Sequence, residues 1–218
     1  MTTKSLFVFD MDGVLIESEP FWRKAQIEVL ANYGASATID DCIEYTMGKR
    51  LDDIAAIWIQ MFNLSVDAKV LESEIMQRVV ALVEQEGEAI EGIPTLISDL
   101  KQRDFRLALA SSSAYPIIHA VTEKLGIQDS FDLMLSAEDV PNGKPAPDVY
   151  LEVCQRLDVP VEQAFALEDS LTGVKAAVAA RLTTIAMPFE NNPAFSIADC
   201  VVESVQDVIK MVDSHTVA

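Results

Sequence analysis

Asp10 and Asp12 stand two residues apart at the end of an apolar run, in LFVFDMDG (6–13). Two carboxylates that close repel each other, so something of opposite charge must reward keeping both. Other apolar runs also end in polar residues. LALA (107–110) runs into Ser111, Ser112 and Ser113, and AFAL (164–167) into Glu168, Asp169 and Ser170. Between them PNGKPAPD (141–148) places Lys144 in a Pro/Gly-rich loop. Ligands of open α/β sheets sit outside the carboxyl ends of the strands. Three strand ends and one loop are therefore expected to converge on one crevice.

There, Asp10, Asp12, Asp169 and Glu168 would form a cluster of hard oxygen donors. Mg²⁺ takes oxygen ligands and commonly joins one or two carboxylates to a substrate phosphate, so Mg²⁺ is the expected cofactor. Lys144 adds a fixed positive charge. The Ser111 hydroxyl can donate to a phosphoryl oxygen, and Ser112 can offer its backbone N–H. Asp10 is then the expected nucleophile, forming an aspartyl-phosphate. Asp12 would protonate the leaving oxygen and later deprotonate the attacking water. Gly13 would let the chain turn tightly beneath the phosphate. Each residue also has a plainer reading: an acid pair in a solvated turn, a surface lysine, two acids capping the next helix. The shared crevice is what favours chemistry. Ser170 is assigned the cap, and Ser113 is read as loop alone.

The elements that must position these residues follow from the apolar pattern. Strands are predicted at 6–9, 106–110, 132–136, 164–167, 183–187 and 199–202. Most are continuously apolar, as strands buried on both faces of a parallel sheet are. Helices are predicted over 94–102, 115–125 and 147–157, and again after LEDSLTG. Strand and helix alternate, so the predicted class is α/β with a doubly wound, mainly parallel, Rossmann-like sheet. Residues 19–88 read differently. Stripes on Trp22, Ala25, Val29 and Tyr33, then on Leu51 to Phe62, then on Leu71, Ile75, Val79 and Leu82 predict an inserted helical block. The expected organisation is a catalytic core of 1–15 and 90–218, a helical cap of 19–88, and hinge linkers at 15–19 and 85–92. A block joined by two crossings can act as a lid. Glu19 and Trp22 near the first hinge, and Arg50 after Gly48 in the MGKR loop, are its candidate substrate contacts. His119 and His215 carry no motif, and His215 is expected in a frayed tail.

Composition narrows the partners. The chain of 218 residues has 16 basic and 35 acidic residues, a formal net charge of −19 at pH 7. That excludes the basic face nucleic acid needs and disfavours anionic membrane surfaces. No run of about 18 apolar residues is present to span a bilayer. Lys4 is followed by only LFVF before Asp10, so no secretory leader is expected. Cys42, Cys154 and Cys200 form no metal or redox motif and are expected as reduced thiols in the cytoplasm. A monomer is expected, because the lid must open.

DMDGV, Ser111 after a strand, GKPAPD and LEDS, in that order, resemble the haloacid dehalogenase superfamily of phosphotransferases over essentially the whole chain. The helical insert after the first motif is similar to that of the β-phosphoglucomutase-like group. IESEPFW and MGKR look most like its sugar- and polyol-phosphate phosphatases. The resemblance implies a Mg²⁺-dependent phosphatase of small phosphorylated sugars or polyols, such as 2-deoxyglucose 6-phosphate or hexitol phosphates. It implies Asp10 as nucleophile, Asp12 as acid and base, and Ser111 and Lys144 as phosphate ligands. Asp169 and the Asp12 carbonyl would hold the metal, with Glu168 supporting them. Glu17 departs from the family, which more often has Asp there. A β-phosphoglucomutase-type phosphomutase is the alternative. Mutases of the group carry a His where this chain has Trp22, which favours hydrolysis. Asp12 speaks against dehalogenation, and the motif order against a signalling receiver domain.

Overall fold

The computed structural model describes residues 5–47, 49–190 and 192–216. Its strands are β1 (Leu6–Phe9), β2 (Arg106–Ser111), β3 (Leu133–Ser136), β4 (Ala164–Glu168), β5 (Thr183–Ala186) and β6 (Cys200–Val201). They form one parallel sheet in the order β3-β2-β1-β4-β5-β6. This is the predicted doubly wound sheet, and every predicted strand is present. β1 is the pivot: the chain builds outward from it through β2 and β3, then returns to its other side with β4. Phe9 registers with Leu109 on one neighbour and Leu167 on the other. The residues just past Phe9 therefore lie between the ends of β2 and β4. A crevice at such a switch point is where α/β sheets bind ligands.

β1 and β4 are buried along their whole length, and β2 from Leu107 onward, because helices cover both faces. Those helices are α5 (Ile93–Gln102), α6 (Tyr115–Lys124), α7 (Asp148–Arg156), α8 (Leu171–Ala179) and α9 (Val205–Thr216). α9 corrects the expectation of a frayed tail. Val205, Val208 and Val212 make a buried stripe, and Arg103 at the end of α5 pairs with Asp99 and with Asp213 of α9. The His215 ring stands edge-on to Phe165 with centroids 5.7 Å apart.

The chain divides into two compact units, Met1–Glu17 with Glu88–Ala218, and Ser18–Gly87. The second is all helical in its described residues. It comprises α1 (Glu19–Asn32), the single turn α2 (Ile39–Asp41) running into a π-helical turn over Cys42–Thr46, α3 (Leu51–Phe62) and α4 (Ala68–Glu86). Gln85 and Glu86, expected in the return linker, are the last residues of α4, because the apolar stripe through Leu82 and Val83 carries the helix on. Trp58 is fully buried in this unit. Its indole N–H donates to Gln26 Oε1 at 2.8 Å, and the Thr46 hydroxyl donates to the same oxygen at 2.9 Å. A buried amide is tolerated when its partners are met in this way. In the first unit the two crossings run side by side: Ile16 bridges Ala89, and Ile90 N–H donates to the Leu15 carbonyl.

Phe165 on β4 packs against Phe7 and Phe105 as well as His215. Phe165→Ala removes a fully buried ring and should cost about 3–5 kcal/mol of stability, read from urea denaturation.

Candidate active site

Asp10 follows β1 directly, and its backbone N–H donates to Leu167 of β4 at 3.0 Å. The main chain thus continues the sheet one residue further, and the Asp10 side chain is carried into the gap between β2 and β4. Lys144 reaches the same gap from its loop, with its side chain only 4% exposed. Its ammonium donates to Asp10 Oδ1 at 2.6 Å, Glu168 Oε1 at 2.6 Å and the Ala110 carbonyl at 2.9 Å. Three protons meet three acceptors, which is what a buried ammonium requires.

Glu168 ends β4 and is fully buried. Its Oε1 also accepts from the Tyr150 hydroxyl at 2.5 Å, and its Oε2 accepts from the Ser170 hydroxyl at 3.3 Å. Ser170 caps α8, accepting from Gly173 N–H at 3.0 Å, as expected. Two glycines make room for the acids. A Cβ on Gly173 would lie 1.9 Å from Glu168 Oε1. A Cβ on Gly13 would lie 2.1 Å from Asp169 Oδ2, and Gly13 also has φ +80°, in the left-handed region.

The Ser113 hydroxyl donates to Asp12 Oδ2 at 2.7 Å. Ser113, read from sequence as loop alone, is therefore part of the site. Its own backbone is held on both sides: N–H donates to Ser111 Oγ at 3.0 Å, and its carbonyl accepts from Ser136 at 2.8 Å. Ser111 is fully buried at the end of β2, while Ser112 beside it is exposed. Tyr150 and Gly173 were not singled out by sequence. A glycine inside a helix costs about 1 kcal/mol against alanine, and that was the available signal for Gly173.

Four carboxylates, on Asp10, Asp12, Glu168 and Asp169, share this end of the sheet with one ammonium. The imbalance shows at Asp10 and Asp169. Burial, and then the charge of Glu168, push Asp10 well above the usual carboxylate range against the pull of Lys144. The same two causes push Asp169 up to about 7. Burial opposes the Lys144 charge, but Asp10 and Glu168 outweigh it and hold the ammonium well above the ordinary lysine value. Carboxylate oxygens of Asp10, Glu168 and Asp169 lie within 4.8 Å of one another. An all-oxygen, over-negative donor set suits a hard divalent cation such as Mg²⁺. Asp10 and Asp169 fit the role of ligands better than Glu168, both of whose oxygens already accept from neighbours.

Glu19, Trp22 and Arg50 lie in the other unit. Arg50 is exposed and pairs with Asp52 at 3.3 Å. Glu19 pairs with Arg23 at 3.6 Å, and Trp22 is half-buried on α1. Gly48 of the same loop lies outside the described residues. No helix among the described residues is long and apolar enough to cross a membrane.

Residues 7–187 match the family described as haloacid dehalogenase-like hydrolase. Hexitol phosphatase B of Escherichia coli K12 is 34% identical over 206 residues, covering 92% of each chain. A fructose-1-phosphate phosphatase of the same organism is 32% identical over 178 residues, covering 82% of this chain and 93% of its own. The crystal structure of CbbY from Rhodobacter sphaeroides in complex with phosphate superposes with a TM-score of 0.81 at 29% identity. It covers 93% of this chain and 95% of that one.

Gly173→Ala reverses the usual sign of a helix substitution. Instead of gaining about 1 kcal/mol of helix propensity it should destabilise the chain in urea denaturation. In a Glu168→Ala background, which lacks the obstructing carboxylate, Gly173→Ala should cost less than it does in the wild type.

Proposed function

The chain belongs to the haloacid dehalogenase-like hydrolases, and we propose that it is a Mg²⁺-dependent phosphoric monoester hydrolase of small phosphorylated sugars or polyols. The observation that carries this reading is the convergence of Asp10, Asp12, Ser111, Lys144 and Asp169 at one end of the β2-β1-β4 triplet. The two phosphatase relatives support the substrate class, hexitol phosphates and hexose phosphates first.

In this mechanism the Asp10 carboxylate attacks phosphorus and forms an aspartyl-phosphate as the sugar oxygen leaves. Asp12 gives that oxygen its proton. Asp12 then takes a proton from the water that attacks the aspartyl-phosphate, releasing inorganic phosphate and restoring Asp10. Ser113 holds the Asp12 carboxylate in place by its 2.7 Å bond. The Lys144 ammonium and the Ser111 hydroxyl bind phosphoryl oxygens, joined by the Ser112 N–H. Asp10, Asp169 and the Asp12 carbonyl would hold Mg²⁺, which would supply positive charge to offset a phosphate dianion among carboxylates. The helical unit serves as the lid of a monomer, with Glu19, Trp22 and Arg50 selecting the sugar or polyol. Trp22 in place of the histidine of the mutases supports transfer to water rather than back to the sugar.

The deciding experiment measures phosphate release from a panel of hexitol, fructose and 2-deoxyglucose phosphates with Mg²⁺ and with EDTA. Release should need the metal and vanish in Asp10→Asn. Isomerisation of β-glucose 1-phosphate without release would overturn the reading. Ser113→Ala should lower kcat about tenfold with little change in KM, because it removes one charge-assisted hydrogen bond to the acid. Arg50→Ala should do the opposite, raising KM about tenfold with kcat kept, as loss of uniform binding does.

A further inference from the structure

Tyr150 is a fully buried hydroxyl for which the mechanism above has no use. It lies on α7, six residues beyond Lys144, and it meets the site in two ways. Its hydroxyl donates to Glu168 Oε1 at 2.5 Å. Its ring lies 5.1 Å from the Lys144 ammonium, within cation–π range. Glu168 has a partner on its other side as well. Ser170 donates to the other carboxylate oxygen, and the carboxyl group fills the place a Cβ on Gly173 would take.

Lys144 faces a conflict. All three of its protons are used, on Asp10, Glu168 and the Ala110 carbonyl. To grip a phosphoryl oxygen it must release one of them. If it releases Glu168, that carboxylate stays fully buried without its ammonium, and an unpaired buried charge is among the costliest states a protein can hold. A second strong donor already on the same oxygen lowers that cost.

We propose that Tyr150 is a positioning residue for phosphate capture: its hydroxyl keeps Glu168 Oε1 hydrogen-bonded so that Lys144 can turn a proton from Glu168 to the phosphoryl group. The proposal rests on the reading of Lys144 as a phosphate ligand. It assigns Tyr150 no contact with substrate. It also accounts for a phenol at this position where phenylalanine would fill the same volume and keep the ring under the ammonium.

The test uses the full chain and two readouts: binding of inorganic phosphate in the presence of Mg²⁺ by calorimetry, and turnover of the best sugar phosphate. Tyr150→Phe should weaken phosphate binding about tenfold or more, the value of one hydrogen bond to a charged group, and lower kcat/KM by a similar factor. A purely structural tyrosine would change the melting temperature and leave phosphate affinity alone. Glu168→Gln supplies the second arm. With a neutral amide at 168 nothing charged is left bare, so Tyr150→Phe should have little further effect in that background. Phosphate binding by Tyr150→Phe as tight as the wild type overturns the proposal. So does an equal loss in the Glu168→Gln background. If Tyr150→Phe does not fold, recovery of folding in Tyr150→Phe/Glu168→Gln supports the bare-carboxylate argument, and failure to recover overturns it. Wild-type protein that binds phosphate but hydrolyses nothing on the panel would remove the phosphatase reading alone. The Tyr150 comparison would still be decided by phosphate binding.

Discussion

A single buried ammonium, shared between two buried carboxylates, is the constraint around which the core is arranged. Lys144 sits between Asp10 and Glu168 at equal distances of 2.6 Å. Such a group of charges survives out of water only when every proton and lone pair has a partner, and removing one member of a buried pair costs about 3–5 kcal/mol. The surroundings meet that demand. The Ala110 carbonyl takes the third proton, Tyr150 and Ser170 complete Glu168, and Gly173 withholds a side chain where the carboxyl group must lie. The sheet order follows the same need, because only a strand flanked by β2 and β4 brings Asp10 beside both Ala110 and Glu168.

The group is nonetheless incomplete in charge. Asp12 and Asp169 add to the negative side, and burial together with this excess of negative charge raises the pKa of Asp10 and Asp169. An electrostatic deficit of this kind is costly for folding and useful for binding, since a divalent cation and the phosphate it carries gain what the protein alone lacks. The chain's overall charge of −19 repels anions. Attraction for a phosphorylated ligand must therefore be local, and Lys144 together with a bound cation is where it can arise. The helical unit has a separate core built on other means: Gln26 accepts from Trp58 and Thr46 at once and ties α1, the π-helical turn and α3 together.

Much of this was legible in the order of residues. Apolar runs, most of them continuous, marked the six strands, because a strand buried on both faces, as β1 and β4 are, has no polar side to show. The acids and serines directly after those runs marked the site, because the carboxyl edge of a parallel sheet is where such runs end. Helical stripes marked the insert between Trp22 and Leu82. What escaped was Ser113, Tyr150, Gly173, the amphipathic α9 and the true extent of α4. A serine in a loop, a tyrosine on an amphipathic helix and a glycine near a helix start are common, and their types alone do not distinguish these from thousands of others.

The sequence by itself determined the class of fold, the place of the chemistry along the chain and the donor types available to it, since these depend on local pattern: apolar period, turn residues and side-chain chemistry. Only the tertiary structure decided which groups touch. Asp10 and Lys144 are 134 residues apart, and Asp12 and Ser113 are 101 apart. Their pairing depends on strand order and register, which set side chains from distant segments to within a hydrogen bond of each other. The same geometry gave Tyr150 and Gly173 their roles, because a hydroxyl or a missing Cβ acquires meaning only from the buried carboxylate packed against it.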